Sequence, residues 1–188
     1  MKVLMINGSP HIQGQTSKIL QTMIQEFETR NVECEVVQVG NQIIPGCMGC
    51  GKCKKENKCV FEDIVNETAN KFRETDGMII GAPVYFGSAN GATVSFLDRL
   101  FYSTSFDKTM KVGASVCVAA RSGSSTTFDQ LNRYFTISGM PVVSSLCWNN
   151  VIGENDEKGM NCIHTLVKNM VFVLKSIELG KQYFTLEK

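Results

Sequence analysis

Four of the eight cysteines, Cys47, Cys50, Cys53 and Cys59, fall in the run PGCMGCGKCKKENKC. Thiols separated by gaps of two, two and five residues can converge on one centre, and that spacing asks for a metal or an iron-sulfur cluster. C-x2-C-x2-C sets three sulfurs on one tight turn, as cluster-binding runs do, and the fourth returns from the far side of a short loop. Structural zinc more often uses two well-separated pairs. The same residues also read as reduced thiols in a Gly- and Lys-rich loop. Spacing alone leaves the ligand and bare-thiol readings both open.

Three further stretches carry polar or planar groups where a ligand could sit. Gly8 to Ser17 (GSPHIQGQTS) runs hydroxyls and amides into a helix start, where free backbone N–H groups and the positive dipole end favour a phosphate. It is not a Walker loop, because five residues separate Gly8 from Gly14 and Gln15 stands where the Lys belongs, nor is it G-x-G-x-x-G. With no Lys or Arg, the loop suits a permanently held monophosphate; the competing reading is a turn capped by Thr16 or Ser17. Ala82 to Gly91 carries Tyr85 and Phe86, either a flat wall for a planar ligand or ordinary core, and its Gly-Ser-Ala-Asn-Gly run reads as an open, close-fitting loop. Ala119 to Ser125 holds a lone Arg121, placed either to stabilise negative charge on a reduced ring or simply on the surface.

The elements that must position these stretches alternate between apolar runs and amphipathic segments, an α/β pattern around a parallel sheet. Strands are expected over Lys2 to Asn7, Glu33 to Val39, Gly77 to Gly81, Val112 to Ala120 and Met140 to Ser144. Helices are expected over Thr16 to Thr29, Ile64 to Glu74, Gly91 to Tyr102, Thr126 to Ile137 and Met160 to Leu179. Five strands with helices between them suggest a doubly wound sheet whose ligand crevice lies at the carboxyl ends of the strands. The 188 residues, 43% hydrophobic and 20% charged, suit one well-buried domain, with a Cys-rich loop at 45–60. A formal charge of +1 without long runs of either sign argues against nucleic acid or an anionic membrane as partner. The N-terminus lacks a signal-peptide pattern, so the expected setting is the reducing cytoplasm, where Cys34, Cys117, Cys147 and Cys162 would pack as thiols. Trp148 reads as a packing residue with a wet edge, and His164 as a satisfied structural histidine.

The stretches GSPHIQGQTSKIL, the cysteine run, GAPVYFGSANGATVSFLDRLFY and AARSGSSTTFDQLNRYF give nearly the whole chain a resemblance to the NAD(P)H-dependent FMN reductases of the flavodoxin-like superfamily, close to the iron-sulfur flavoproteins. The resemblance implies a flavodoxin-like five-stranded sheet with helices on both faces. It implies FMN, its phosphate held by Ser9, His11, Gln15, Thr16 and Ser17, its ring lined by Pro83, Val84, Tyr85, Phe86 and Gly87, and its pyrimidine side reached by Ala120, Arg121, Ser122 and Gly123. His11 departs from the Arg that many relatives carry there. The implied activity is hydride transfer from NADH or NADPH to FMN and onward to a quinone, nitro or azo compound, free flavin or redox protein. That chemistry is centred on the flavin, so no side chain is expected as acid or base. A homodimer is implied too. Two alternatives stand beside this reading: an electron carrier with FMN and a [4Fe-4S] cluster on Cys47, Cys50, Cys53 and Cys59, and a non-redox module with zinc on the same four cysteines.

Overall fold

The computed structural model describes residues 1–184. The strands are β1 (Lys2–Asn7), β2 (Glu33–Gln38), β3 (Gly77–Tyr85), β4 (Ser88–Ala89), β5 (Val112–Ala119) and β6 (Asn150–Ile152). The helices are α1 (Gln15–Glu28), α2 (Cys53–Glu56), α3 (Ile64–Arg73), α4 (Gly91–Ser103), α5 (Ser124–Ile137) and α6 (Glu157–Tyr183). The sheet order is β2-β1-β3-β5-β6, all parallel, with β4 folded back antiparallel on β3. This is the flavodoxin-like order, which opens a crevice where the path reverses between β1 and β3.

Alternation along β1 shows why the sheet is covered twice. Val3 and Met5 enter one core with Ile19, Met23 and Phe27 of α1 and Ile163 and Leu166 of α6. Leu4 and Ile6 enter the other, with Val65 and Phe72 of α3, Phe96 and Leu100 of α4 and Leu131 of α5. Strands buried on both faces read as continuous apolar runs, as the sequence of β1 and β3 does. Among the described residues no helix is long and apolar enough to cross a membrane.

The fifth sheet position departs from expectation. Met140 to Ser144 forms no strand; Val142 makes only an isolated bridge to Gly113, and the chain returns to the sheet as β6. Residues 144–149 leave the sheet between the two contacts. Asn149, fully buried with a left-handed backbone (φ 51°), fills the gap by donating through Nδ2 to the Ser115 carbonyl at 2.9 Å. That carbonyl would otherwise be a buried acceptor without a ladder partner. The excursion leaves Trp148 62% exposed, so it is not the packing residue expected.

Candidate functional site

The loop after β1 is braced from three elements. Asn7 accepts the Ser9 N–H through Oδ1 (3.0 Å) and donates through Nδ2 to Ser17 Oγ (2.8 Å). Ser17 Oγ in turn donates to the His11 carbonyl at 3.1 Å, the His11 N–H donates to Ser9 Oγ at 3.1 Å, and Gln38 of β2 donates to the Ser9 carbonyl at 2.6 Å. Thr16 and Ser17 do not cap α1; Gly14 occupies that position, and no side chain satisfies the helix end. The first N–H groups of a helix have no intrahelical acceptor, and α1 carries no acid in its first turn. Such an end fits a phosphate. Thr16 is buried, Gln15 and Ser17 are half-buried, and His11 is exposed at the rim.

β3 does not end at Gly81 as expected but runs on to Tyr85 and turns back on β4, so the stretch expected as an open loop is a hairpin. Val84 pairs with Ala89 and Tyr85 with Ser88, and the turn between them is Phe86 and Gly87, both left-handed (φ 52° and 76°). Paired positive φ values match the twist of adjoining strands. Phe86 is fully exposed and Tyr85 nearly half exposed, while Pro83 and Val84 are half-buried. Gln130 of α5 braces the hairpin by accepting the Ala89 N–H (3.0 Å) and the Ser88 hydroxyl (2.9 Å).

Gly123, at the start of α5, has φ 87°, and a Cβ there would stand 2.6 Å from Gly87 Cα. Only glycine lets the third loop approach the hairpin this closely. Ala120, Arg121 and Ser122 are exposed beside it. The Gly8 N–H donates to the Gly81 carbonyl (2.7 Å), and Thr93 of α4 donates to the Gly8 carbonyl (3.4 Å). The three loops thus meet at the carboxyl ends of β1, β3 and β5.

Cys47, Cys50, Cys53 and Cys59 line one pocket with Phe61, Arg99 and Tyr102. Cys47 and Cys50 are exposed, Cys53 is half-buried at the start of α2, and Cys59 is buried. Among the described residues no three His, Cys, Asp or Glu side chains form a group arranged to hold a metal ion. The four sulfurs share a pocket without converging. Arg99, on α4, forms the buried wall, 1% exposed. It donates through Nη1 and Nη2 to both Asp63 oxygens at 2.8 Å, through Nη1 to the Pro45 carbonyl at 3.3 Å and through Nε to Cys59 Sγ at 3.2 Å. Burial works against its charge, but the bonds to Asp63 and Cys59 outweigh it and raise its pKa. Sequence reasoning missed this residue, although Arg99 stands three residues after Phe96 on the apolar stripe of its helix.

The remaining cysteines divide. Burial pushes the thiols of Cys34 and Cys117 up to about 12, which keeps them inert packing groups. Cys147 and Cys162 are joined in a disulfide instead of packing as thiols, because the excursion brings their Cα atoms to 6.2 Å, within bridging reach. His164 pairs with Glu26 across α1 and α6, as a structural histidine should.

The profile of the NADPH-dependent FMN reductase family matches residues 1–155. The chain is 31% identical to an iron-sulfur flavoprotein of Methanocaldococcus jannaschii over 192 residues, covering 95% of this chain and all of that one. It is 30% identical to an iron-sulfur flavoprotein of Methanosarcina thermophila, covering 96% and 99%. Among solved structures it is similar in fold to RosB with bound 8-demethyl-8-formylriboflavin-5'-phosphate, with a TM-score of 0.74 at 16% identity, covering 95% of this chain and 81% of RosB.

Proposed function

Because this chain belongs to the NADPH-dependent FMN reductase family, and is on that ground an FMN-dependent oxidoreductase, we propose that it draws electrons from NADH or NADPH and delivers them to a small acceptor or a redox protein. A quinone, a nitro or azo compound or free flavin would serve as the small acceptor. FMN, when bound, supplies the chemistry by accepting hydride and passing its electrons on. The observation that carries the reading is the end of α1, uncapped and free of acid, beside an exposed Tyr85-Phe86 hairpin. In this reading the first N–H groups of α1, with Thr16, bind the phosphate, and Ser9, His11, Gln15 and Ser17 shape its loop. Pro83, Val84, Tyr85, Phe86 and Gly87 wall the ring. Ala120, Ser122 and Gly123 approach its pyrimidine edge, and Arg121 holds a positive charge there. Residues 1–188 acting as one FMN-binding domain, paired as a homodimer, belong to the same proposal.

The four-cysteine pocket favours a second cofactor on the same chain. Four soft sulfur donors on one pocket fit a [4Fe-4S] cluster by ligand type, with Cys47, Cys50, Cys53 and Cys59 to hold it. The relatives named iron-sulfur flavoprotein support that assignment. Electrons could then leave toward a protein partner through the pocket. The test is one anaerobic preparation, analysed for flavin in the denatured supernatant and for iron, sulfide and zinc. FMN with iron and sulfide supports the two-centre protein. FMN alone reduces the reading to a flavin reductase. Zinc without FMN, or failure to bind added FMN, removes the oxidoreductase.

A further inference from the structure

Arg99 joins the entry to the cysteine loop at Pro45, its exit at Cys59 and the start of α3 at Asp63. Asn66 of α3 also holds Cys59, but only by its backbone N–H and carbonyl, so among the described residues the sulfur itself is held by Arg99. The Phe61 ring lies against its guanidinium, 4.7 Å from Cζ to the ring centroid. Both ends of the loop are therefore tied to a buried cation, while Cys47 and Cys50 between them are exposed. A guanidinium buried only to hold a loop gains little over apolar packing. This one spends its Nε donor on a sulfur, and N–H donation to ligand sulfur is a known lever on metal affinity and potential.

We infer that Arg99 is a positioning residue for sulfur ligation, holding Cys59 Sγ on the pocket wall as the fixed ligand onto which Cys47, Cys50 and Cys53 close, and donating to that sulfur once a metal centre is bound. The inference rests on the four-cysteine reading of the pocket. It does not require that the centre be a cluster.

The test is anaerobic titration of the FMN-loaded protein with Co2+ alone, which shows sulfur-to-cobalt charge-transfer bands when thiolates ligate. The unaltered protein should bind one Co2+ with a four-sulfur spectrum and protect Cys59 together with the other three from alkylation. Arg99→Lys, which keeps a charge but loses the Nε donor, should weaken Co2+ binding roughly 10–100-fold and shift the charge-transfer band, with FMN retained. Asp63→Asn keeps a helix cap and the sulfur contact, so it should cost distinctly less. Equal losses in the two variants with an unmoved band would reduce Arg99 to a loop tie and overturn the inference. So would a Cys59 that alkylates freely under Co2+, a result read on unaltered protein even if Arg99→Lys fails to fold. Iron and sulfide reconstitution reads the cluster separately. A chain that takes Co2+ as expected but assembles no cluster supports Arg99's role while removing the cluster.

Discussion

The hydroxyls of the loop after β1 divide according to what they already hold. Ser17 Oγ bridges Asn7 and the His11 carbonyl, so its first duty is to the loop. Thr16, buried in the first turn of α1, is the hydroxyl better placed to serve a ligand. Thr16→Val should therefore leave stability nearly unchanged and weaken FMN binding by about 1.5–3 kcal/mol, the worth of a hydrogen bond to a charged group. Ser17→Ala should instead lower stability by about 1 kcal/mol, since two partners lose their bond. Titration of added FMN and urea denaturation of the apoprotein separate the two. Arg121 is exposed next to the Gly123 and Gly87 contact. If its charge serves the reduced ring, Arg121→Met lowers the flavin reduction potential with FMN still bound; an unmoved potential would leave it a surface residue.

Helix ends and strand breaks set the next level. Asp156 caps α6, accepting the Gly159 N–H at 2.9 Å and the Ile152 N–H at 2.8 Å. These bonds, the Gly159 one foremost, lower its pKa below the ordinary carboxylate value. A carboxylate with a lowered folded pKa contributes fully above its unfolded value of about 4 and loses that contribution as pH falls through the folded one. Asp156→Ala should cost about 1 kcal/mol at neutral pH, and the gap between variant and parent should narrow in acid below about pH 4. Urea midpoints at the two pH values check this. The disulfide ties residues 15 apart in sequence, pinning the excursion to α6. Its loss in Cys162→Ser should cost about 3 kcal/mol, and mass analysis after alkylation under denaturing, non-reducing conditions should find Cys147 and Cys162 unmodified. These elements also mark where sequence pattern stopped being informative. Met140 to Ser144 has the apolar run of a strand, but the strand is completed by Asn149, a polar residue with positive φ whose side chain replaces a missing backbone partner. The hairpin hid for a related reason: Gly-Ser-Ala-Asn-Gly looks like a loop, and only the φ values at Phe86 and Gly87 turn it into paired strand.

Across the whole molecule, what was legible followed periodicity. β1, β3 and β5 are apolar on both faces and α1 and α4 carry one apolar stripe, so the alternation of the two gives the doubly wound class, whereas the strand order was implied only by the family resemblance. The positions of the three loops proposed to hold the flavin were legible for the same reason, being the carboxyl ends of recognised strands. Long-range polar contacts were not, because Arg99 to Asp63 and Gln130 to Ala89 span 36 and 41 residues and leave no periodic trace. Both candidate sites lean on α4, through Thr93 at the loop after β1 and Arg99 at the cysteine pocket. The consequence concerns time. The buried amides of Phe96, Leu97 and Leu100 should exchange with deuterium only through global unfolding, whereas those of 48–56, none of them buried and most of them exposed, should exchange by local opening. Within the lifetime of one folded molecule the cysteine loop can then open and reclose many times, baring and covering its sulfurs, while α4 beneath keeps the loop after β1 in register.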